Sequence, residues 1–461
     1  MPQTLQPDLK GRVLYEVAKA AWEGKLMEQR QELCRLLHQE FSDKVTRRHI
    51  ANQIRLAMGL MPRDDDNLLT EYDQEALMGT ENEPVVIACP EPCPCDSTNR
   101  ECEKVCSAEA ISHDSDGRPR IDYDRCTGEG RCVEACSWGV LSHKSQFVPL
   151  IELLRQSSHP VYASVAPAFA GQFGPDVTFG KLRAALRRLG FVEAIETALF
   201  ADLVTMKEAF EFDRLVRETD DFMLTSCCCP VWIKLVENKH PELMSRMSPS
   251  VSPMIASGRV IKTLDPGARV VFIGPCIAKK SEARLPNLCG AIDFVLTFQE
   301  LATIFSAVNI DPSAMPEEKD ASDASWGGRI YGRTGGVSAA VQTALESLIP
   351  ERAEFFAALQ VDGVQECQEV LNAIGTKNLA ANFIEGMACK GGCVGGPGRI
   401  APPEQGAAMV NRFGETSPSR SPLDNPHVYS LLTKLGQDPD VRRLRGESPV
   451  AALLARQEPP L

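Results

Sequence analysis

Apolar residues recur at helical spacing over the first part of the chain. Val13 and Val17, and later Leu33 and Leu37, stand four positions apart, with further apolar residues on the same faces. Such spacing is typical of helices that bury one face. The segment ends in the charged run MPRDDDN and an acidic stretch. We therefore predict a small helical N-terminal domain over 1–80 that ends in an acidic linker.

Strand-like and helix-like patterns alternate from about 146 to 400. PVYASVAPAFA and ARVVFIGPCIA are typical of buried strands, and TFGKLRAALRRLGF and GGVSAAVQTALESLI are typical of helices. This alternation predicts an α/β domain over 146–400. The residues that follow, 401–461, are rich in Pro, Gly and Ser, and we predict a partly ordered tail that finishes in a short helix. Residues 85–145 have short connections and no room for a conventional core, so we expect this domain to fold around something bound.

Composition limits the possible functions. The chain has 461 residues, 17 of them Cys, and a formal net charge of −13. The acidic balance argues against nucleic-acid binding, and no apolar stretch approaches the length of a membrane span. The N-terminus has no apolar segment of the kind found in export signals. Many cysteines in such a chain favour metal binding in a reducing compartment, so we predict a cytoplasmic protein.

Eight cysteines lie within a short central segment. They are Cys89, Cys93, Cys95, Cys102, Cys106, Cys126, Cys132 and Cys136. Eight thiolates suffice for two [4Fe–4S] clusters. Two zinc sites are the alternative, because the spacings are not far from those of zinc ligands. Both halves end in Cys-x3-Cys followed by Ser, which resembles two-cluster bacterial ferredoxins with Ser in place of the usual Pro.

The ferredoxin resemblance implies crossed ligation, in which the last Cys of each half binds the other half's cluster. Cys102 and Cys136 then share one cluster, and the other takes the three thiols of Cys106, Cys126 and Cys132. The remaining places fall to Cys89, Cys93 and Cys95, whose division the sequence leaves open. Glu129 stands where a Cys is expected. Either an upstream thiol replaces it, which we favour, or that cluster has an oxygen ligand.

Three further cysteine loops follow strand-like runs or open helix-like ones. Their sequences are LTSCCCPVW, IGPCIAKKSE and EGMACKGGCVGG. Loops at strand ends of α/β domains are common sites, and together these loops supply enough thiolates for one more cluster. Cys389 and Cys393 are four positions apart, so one helical turn would direct both sulfurs at the same centre.

The three loops resemble the signature motifs of the iron-only, or [FeFe], hydrogenases. SVAPAFAGQFG, FADLVTMKEAFEF and GRTGGVSAA resemble the same family, and the match runs from about 85 to 400. The N-terminal extension is similar to that of the monomeric branch called group B. The resemblance implies an α/β fold, α+β overall. Its parts would be a large [FeFe]-hydrogenase-like catalytic domain, a ferredoxin-like two-cluster domain over 85–145 and the small helical domain.

The resemblance also implies roles for the cysteines of the three loops. With Trp232 as the anchor of the first loop, Cys229 matches a cluster ligand and Cys228 the thiol that passes protons to the two-iron subsite. If the extra residue of this loop lies after the ligand, Cys228 is the ligand and Cys227 the proton donor. The other implied ligands are Cys276, Cys389 and Cys393, the last of which bridges to the subsite.

Further roles follow from the same resemblance. Glu208, Glu211 and Ser248 match the proton relay, although a glutamate pair on a helix is more often a solvated face. Lys279 matches the lysine that binds a cyanide of the subsite. The residues that match the lining of the subsite are Ala166, Pro167, Ser252, Pro275 and Met387. Gly274 departs from the family, which usually has Met there.

The implied activity is reversible 2H⁺ + 2e⁻ ⇌ H₂. The implied cofactors are the H-cluster, which joins a [4Fe–4S] cluster to a two-iron subsite with CO and CN ligands and a bridging dithiolate, and two further [4Fe–4S] clusters. Expected partners are a ferredoxin or similar low-potential carrier and the hydrogenase maturases. An acidic carrier would need a basic patch, for which the candidates are Lys104, Arg118, Arg120, Arg125 and Arg131. Alternatives are a hydrogen-sensing relative, the related iron–sulfur assembly factor, which needs no two-iron subsite, and a bare electron-transfer protein.

Overall fold

The fold is seen in a computed structural model. It describes residues 9–43, 45–63, 83–89, 91–95, 98–156, 159–318, 323–374, 380–436, 440–446 and 448–456. The predicted acidic linker falls largely at 64–82, outside the described residues.

Helices and short strands alternate through most of the described chain. The strands are β1 Val86–Ile87, β2 Ile111–His113, β3 Pro119–Ile121, β4 Leu141–Ser142, β5 Val161–Val165, β6 Glu193–Glu196, β7 Met223–Leu224, β8 Arg269–Ile273, β9 Phe294–Leu296, β10 Ala358–Asp362 and β11 Phe383–Met387. The helices are α1 Leu9–Trp22, α2 Leu26–Phe41, α3 Arg47–Ala57, α4 Glu101–Lys104, α5 Arg131–Ala135, α6 Phe147–Gln156, α7 Phe179–Leu189, α8 Thr197–Leu215, α9 Pro230–Lys239, α10 Pro253–Leu264, α11 Lys279–Glu282, α12 Phe298–Ala307, α13 Trp326–Arg329, α14 Gly336–Leu348, α15 Pro350–Ala353, α16 Val364–Ala373, α17 Pro403–Glu415, α18 Pro426–Lys434 and α19 Pro449–Leu453. Single 3₁₀ turns lie between them, including Pro167–Phe169 and Cys393–Gly395.

Two parallel sheets form the centre of the fold. One has the order β6-β5-β8-β9 and the other the order β10-β11-β7. Strands β8 and β9 are almost wholly buried, as their unbroken apolar sequences require in a sheet covered on both faces. Helix α7 shows how local sequence sets the boundaries: Thr178 accepts a hydrogen bond from the Lys181 N–H at its start, and Gly190 ends it with φ +116°. The predicted α/β class is confirmed.

Helix α8 is the most deeply buried helix of the described chain. All of its residues from Thr197 to Asp213 are buried, and it packs against α10, α13 and α14. A helix that is covered on every side can place charged residues in the interior only if other groups satisfy them. Glu208 and Glu211 lie on this helix, so they are interior carboxylates, in contrast to the solvated helix face that an isolated glutamate pair favours.

The N-terminal helices share a core with the α/β part. Helix α1 packs on α2 and α3, and also on α12. Val13 and Val17 are at most 1% exposed, within the same cluster of apolar residues as the central sheet. Lys10 donates to the carbonyl of Val133 at 2.7 Å, which ties α1 to the cysteine-rich segment.

Helices also form after residue 401, where the composition predicts a tail. Pro403, Pro426 and Pro449 each stand in the first turn of a helix, where proline costs nothing because that N–H has no helical partner. The Arg329 guanidinium lies 4.1 Å from the ring centre of Phe413, which fixes α17 to the core. The boundaries at 80, 145 and 400 stay predictions.

No helix among the described residues has both the length and the apolar character needed to cross a bilayer.

Candidate metal centre and proton path

The three cysteine loops meet at the carboxyl ends of the two parallel sheets. The first loop follows β7, the second follows β8, and the third follows β11. Because parallel strands all point the same way, their following loops gather at one edge. Cys229 and Cys393 are thereby brought together, although they are more than 160 positions apart in the sequence.

Trp232 fixes the conformation of the first loop. Its indole is fully buried, and its N–H donates to the Thr225 carbonyl at 2.9 Å. Gly386 lies against the ring so closely that a Cβ there would stand 2.5 Å from it. Ser226 adopts φ +65°, and the Cys229 N–H donates to the Ser226 carbonyl at 2.9 Å at the start of α9. The loop is a tight turn that directs consecutive cysteines to different surroundings.

Four thiols from the three loops form one group, made of Cys229, Cys276, Cys389 and Cys393. Burial raises the pKa of Cys276 to about 11 and that of Cys393 to about 12, and the neighbouring Cys229 thiol adds to both. The pKa of Cys389 is raised by burial and then by the other three thiols. All four cysteines are free. Such a set of buried thiols fits an iron–sulfur cluster, whose binding would displace their protons.

The described residues include no three His, Cys, Asp or Glu side chains that converge on one point as the ligands of a single ion do. In a four-iron cluster each thiolate binds its own iron at a corner of a cube, so these thiols need to surround a volume instead.

Cys228 lies beside this group without belonging to it. It is 7% exposed, and burial followed by the Cys393, Cys227 and Cys229 thiols raises its pKa. Cys227 faces the other way, since its thiol donates to the Val251 carbonyl and is close to Glu208. The structure therefore places Cys229 with the four-thiol group, Cys228 between that group and the interior, and Cys227 farther inside.

Lys279 is a buried cation next to the four thiols. Its ammonium donates to Glu282 at 2.8 Å and lies 5.6 Å from the ring centre of Phe272. Burial lowers its pKa, but the neighbouring Glu282, Cys276 and Cys228 raise it more, so the net shift is upward. The lysine stays charged and can donate to an anionic ligand.

Gly274 of the second loop lies close to two neighbouring side chains. A Cβ at this position would lie 2.7 Å from the Phe272 ring and 3.2 Å from the Ala166 side chain. The aromatic ring therefore occupies the space that a longer side chain at 274 would need.

The relay candidates form a continuous hydrogen-bonded group. Thr225 donates to Glu208 at 2.9 Å, and Ser248 donates to Glu211 at 2.9 Å and also lies close to Glu208. Glu211 is further bound by Lys207 and by Ser250 at 3.1 Å. Burial, and then the charge of Glu211, raises the pKa of Glu208 to about 7. A carboxyl group with such a pKa can both accept and release protons near neutrality.

Several residues of this group have no counterpart among the residues predicted from the sequence. They are Lys207, Thr225, Ser250 and Tyr331, whose hydroxyl shares a hydrogen bond of 2.7 Å with Thr205 and lies near Glu208 and Cys228. In the sequence these residues are marked only by their position near the motifs, because they are polar residues without a distinctive spacing.

The predicted lining residues lie at the same edge of the sheets. Ala166 follows β5 and donates to the Ile273 carbonyl, and Pro167 opens the adjoining 3₁₀ turn. Ser252 caps α10 by accepting from the Ile255 N–H, so its hydroxyl oxygen is already engaged. Met387 ends β11, and Pro275 packs against the third loop, where a Cβ on Gly396 would meet its carbonyl at 2.6 Å.

The cysteine-rich segment divides its thiols into two groups. The first contains Cys93, Cys95, Cys102 and Cys136: burial and then Cys95 and Cys136 raise the pKa of Cys93 to about 12, and burial and then Cys136 and Cys95 raise that of Cys102 to about 11. His113 Nε2 lies 3.3 Å from the Cys93 sulfur. This quartet joins thiols from both halves of the segment.

The second group contains Cys106, Cys126 and Cys132. Burial and then Cys126 and Cys106 raise the pKa of Cys132 to about 12. The three line a small cavity together with Glu129. Cys89 belongs to neither group; burial raises its pKa to about 11, and the neighbouring charges that act on it are those of Glu91 and Arg48.

The five basic residues proposed for carrier docking all have acidic neighbours. The pairs are Lys104–Glu101 at 2.9 Å, Arg118–Asp116 at 3.7 Å, Arg120–Asp114 at 3.2 Å, Arg125–Glu109 at 2.9 Å and Arg131–Glu129 at 3.8 Å. Their positive charge is locally balanced, so they do not make a strongly basic patch.

Comparison with known proteins agrees with the geometry. The family model described as iron only hydrogenase large subunit, C-terminal domain, matches residues 159–397. The NADP-reducing hydrogenase subunit HndD of Solidesulfovibrio fructosivorans is 31% identical over an alignment of 368 residues, and the match covers 67% of this chain and 63% of that protein. Iron hydrogenase 1 of Clostridium pasteurianum is 34% identical over an alignment of 279 residues, and the match covers 52% of this chain and 48% of that protein. This chain thus spans between about half and two thirds of these relatives.

More distant similarity extends to another class of protein. The cytosolic Fe-S cluster assembly factor NAR1 of Yarrowia lipolytica is 22% identical over an alignment of 418 residues, and the match covers 69% of this chain and 84% of that protein. Among solved structures, a variant of the [FeFe]-hydrogenase HydA1 from Chlamydomonas reinhardtii aligns with a TM-score of 0.56 and 23% identity, covering 68% of this chain and 98% of that one. The fold is therefore shared with the [FeFe]-hydrogenases, and the match to more than half of the sequence shows that this chain belongs to the iron-only hydrogenase family.

Proposed function

We propose that this protein is an [FeFe] hydrogenase that catalyses 2H⁺ + 2e⁻ ⇌ H₂. The observation that carries the proposal is the meeting of the four-thiol group with a separate thiol, Cys228, and a buried cation, Lys279, at the end of a buried acidic relay. In this proposal the four thiols are the metal ligands, Cys228 is the proton donor and Lys279 is the charged hydrogen-bond donor. An H-cluster bound there would supply the metal chemistry that joins protons and electrons.

Proton movement is the part that this chain's own side chains perform. Burial keeps Cys228 protonated at neutral pH, so it can donate and must then be reprotonated from within. Glu208 is a buried acid with a pKa of about 7, and Cys227 and Tyr331 lie near it. Ser248 connects Glu208 to Glu211. The proposed path runs from Glu211 through Ser248 and Glu208 to Cys228.

Electrons would enter through the cysteine-rich segment, for which we propose two [4Fe–4S] clusters. The loop around Glu129 and Gly130 reaches the catalytic site. The Glu129 carboxylate is close enough to raise the pKa of Cys389, and a Cβ on Gly130 would lie 3.0 Å from Ile277, the residue after Cys276. The group of Cys106, Cys126 and Cys132 is therefore the inner one, and the quartet that contains Cys93 is the outer one. A ferredoxin or similar low-potential carrier is the proposed partner, with the maturases needed to insert the two-iron subsite.

Anaerobic production with hydrogenase maturases tests this function. We expect about 14 irons per chain, from three four-iron clusters and the two-iron subsite, infrared bands of bound CO and cyanide, and H₂ release from reduced viologen. Cys228→Ser is expected to lose nearly all turnover while it keeps the iron and the infrared bands. Cys227→Ser is the matched control and keeps most of the turnover. If Cys227→Ser is inactive and Cys228→Ser loses iron, the register of the first loop is shifted by one residue.

An iron–sulfur assembly factor is the second candidate, favoured by the similarity to NAR1. Such a protein would hold about 12 irons and show neither CO and cyanide bands nor H₂ release after maturation. A buried Lys279 and an interior relay have no evident use in that function.

A further inference from the structure

We propose that Glu129 supplies the fourth ligand, a carboxylate oxygen, of the cluster held by Cys106, Cys126 and Cys132, and that Cys89 binds no cluster. This inference rests on the two-cluster part of the proposed function. It assigns an oxygen-ligated cluster to the position next to the catalytic site.

The distribution of thiols leaves one place open. The quartet of Cys93, Cys95, Cys102 and Cys136 fills one four-iron cluster. The inner group has three thiols, whereas a [4Fe–4S] cluster has four irons that each need a terminal ligand. The fourth ligand must come from another residue near these three.

Glu129 is placed and oriented as that ligand. Its side chain is 7% exposed and lines the same cavity as the three thiols. Ser107 donates to Oε2 at 2.8 Å, while Oε1 is buried and has no hydrogen-bond partner. Arg131 Nε stands 3.8 Å from Oε1, beyond hydrogen-bonding distance. A buried carboxylate oxygen without a hydrogen-bond donor is costly, and an iron at the open corner would satisfy it.

The backbone around Glu129 is held in place for this task. Gly128 and Gly130 flank it, with φ of +74° and +83°. A Cβ on Gly128 would lie 2.6 Å from Pro84, and one on Gly130 would lie 3.0 Å from Ile277. These close approaches fix the loop from both sides, so the carboxylate cannot move away without disturbing its neighbours.

Cys89 is held away from the cavity. It follows Ala88, the first residue after β1, whose N–H donates to the Val140 carbonyl at 2.7 Å. Val85, four positions earlier, is the residue of this stretch that lines the cavity, and Cys89 does not. Its charged neighbours are Glu91 and Arg48, on the side of α3. Cys89, the upstream thiol that the outer quartet leaves over, therefore does not line the cavity of the inner group.

The test uses the full chain produced anaerobically without the two-iron maturases, with iron counted and EPR spectra recorded. Wild type and Cys89→Ser are both expected to hold about 12 irons. Glu129→Gln is expected to lose about one iron and to show the EPR signal of an oxidised three-iron cluster. Glu129→Cys, which offers a thiol at the same place, is expected to recover the lost iron and to lack that signal.

Three results would overturn the assignment. One is iron loss in Cys89→Ser together with full loading of Glu129→Gln, because the thiol would then be the ligand. Another is full loading of both variants, which would point to a ligand from outside the chain. The third is the loss of the whole cluster in Glu129→Gln with no recovery in Glu129→Cys, which would mark Glu129 as merely structural.

Failure of the proposed function would look different. If the matured protein made no H₂ but the iron counts followed the expected pattern, the ligand assignment would stand and the proposed hydrogenase activity would be refuted. If the cysteine-rich segment of the wild type held zinc in place of iron, the ligand assignment would be refuted. The infrared bands of CO and cyanide would still test the proposed activity independently.

Discussion

The raised pKa of Glu208 gives the sharpest test of the proton path. The carboxyl group is moved from an ordinary pKa of 4.5 to about 7. At about 1.4 kcal/mol per pKa unit, its ionised form is disfavoured by about 3 kcal/mol. Because the pKa is raised, the group is protonated at pH 6 and loses its proton as the pH rises through 7. Folding stability is accordingly highest below the unfolded-state pKa and declines by this amount up to pH 7.

Infrared difference spectra between wild type and Glu208→Gln measure this titration directly. The carbonyl band of the protonated Glu208 carboxyl should be present at pH 6 and disappear with a midpoint of about 7. Glu211→Gln removes the second cause of the shift, so the midpoint should fall, yet stay above 4.5 because burial remains. Thr225→Val removes a hydrogen bond that favours the charged form, so the midpoint should rise.

A midpoint below about 5 in wild type would refute the burial argument. An unchanged midpoint in Glu211→Gln would refute the coupling between the two carboxylates. Glu208→Gln should also lower H₂ release by about 100-fold or more, the usual loss when a general acid–base group is removed.

Three further outcomes are expected. Gly274→Ala should destabilise the protein by about 1–3 kcal/mol in thermal unfolding, because the new Cβ meets the Phe272 ring; adding Phe272→Ala should recover part of the loss, and equal losses in single and double variants would contradict the contact. Lys279→Met should cost about 3–5 kcal/mol by leaving Glu282 buried without its cation, and Lys279→Met with Glu282→Gln should be more stable than Lys279→Met alone. Trp232→Phe should cost about 1–3 kcal/mol and lower the iron content, because the indole N–H that holds the first loop at 2.9 Å is removed; unchanged iron would show that the loop does not need this bond.

The sequence predicted the parts of the site that depend on strand order. Apolar runs before the second and third loops are strands β8 and β11, which belong to the two different parallel sheets, and the loops that follow these strands place Cys276 and Cys389 in the same group of thiols. Periodicity was sufficient here because strands of this kind are buried on both faces.

Features that depend on a single turn or a single tertiary contact could not be predicted from the sequence. Glu129 stands at a position where a Cys is expected, and the sequence leaves open whether a thiol or an oxygen takes that place; the cavity that Glu129 shares with Cys106 is what favours the carboxylate. Lys207 and Tyr331 join the relay through hydrogen bonds between α8 and distant parts of the chain. Lys207 binds Ser250, which is 43 positions away, and Tyr331 binds Thr205, which is 126 positions away; no local pattern encodes such contacts.

The packing of α1 on α12 has a consequence for the order of events during synthesis. Leu9 begins α1, and Ala307 ends the helix that covers it. At about 5–20 residues per second, roughly 15 to 60 s pass between their appearances from the ribosome. During that interval the apolar face of α1 has only α2, α3 and, once residue 156 is made, α6 to cover it. Pulse proteolysis of ribosome-bound chains stalled before and after residue 307 would reveal this delay as a late gain in protease resistance of the first helices; equal resistance at both lengths would show that α1 is protected without α12.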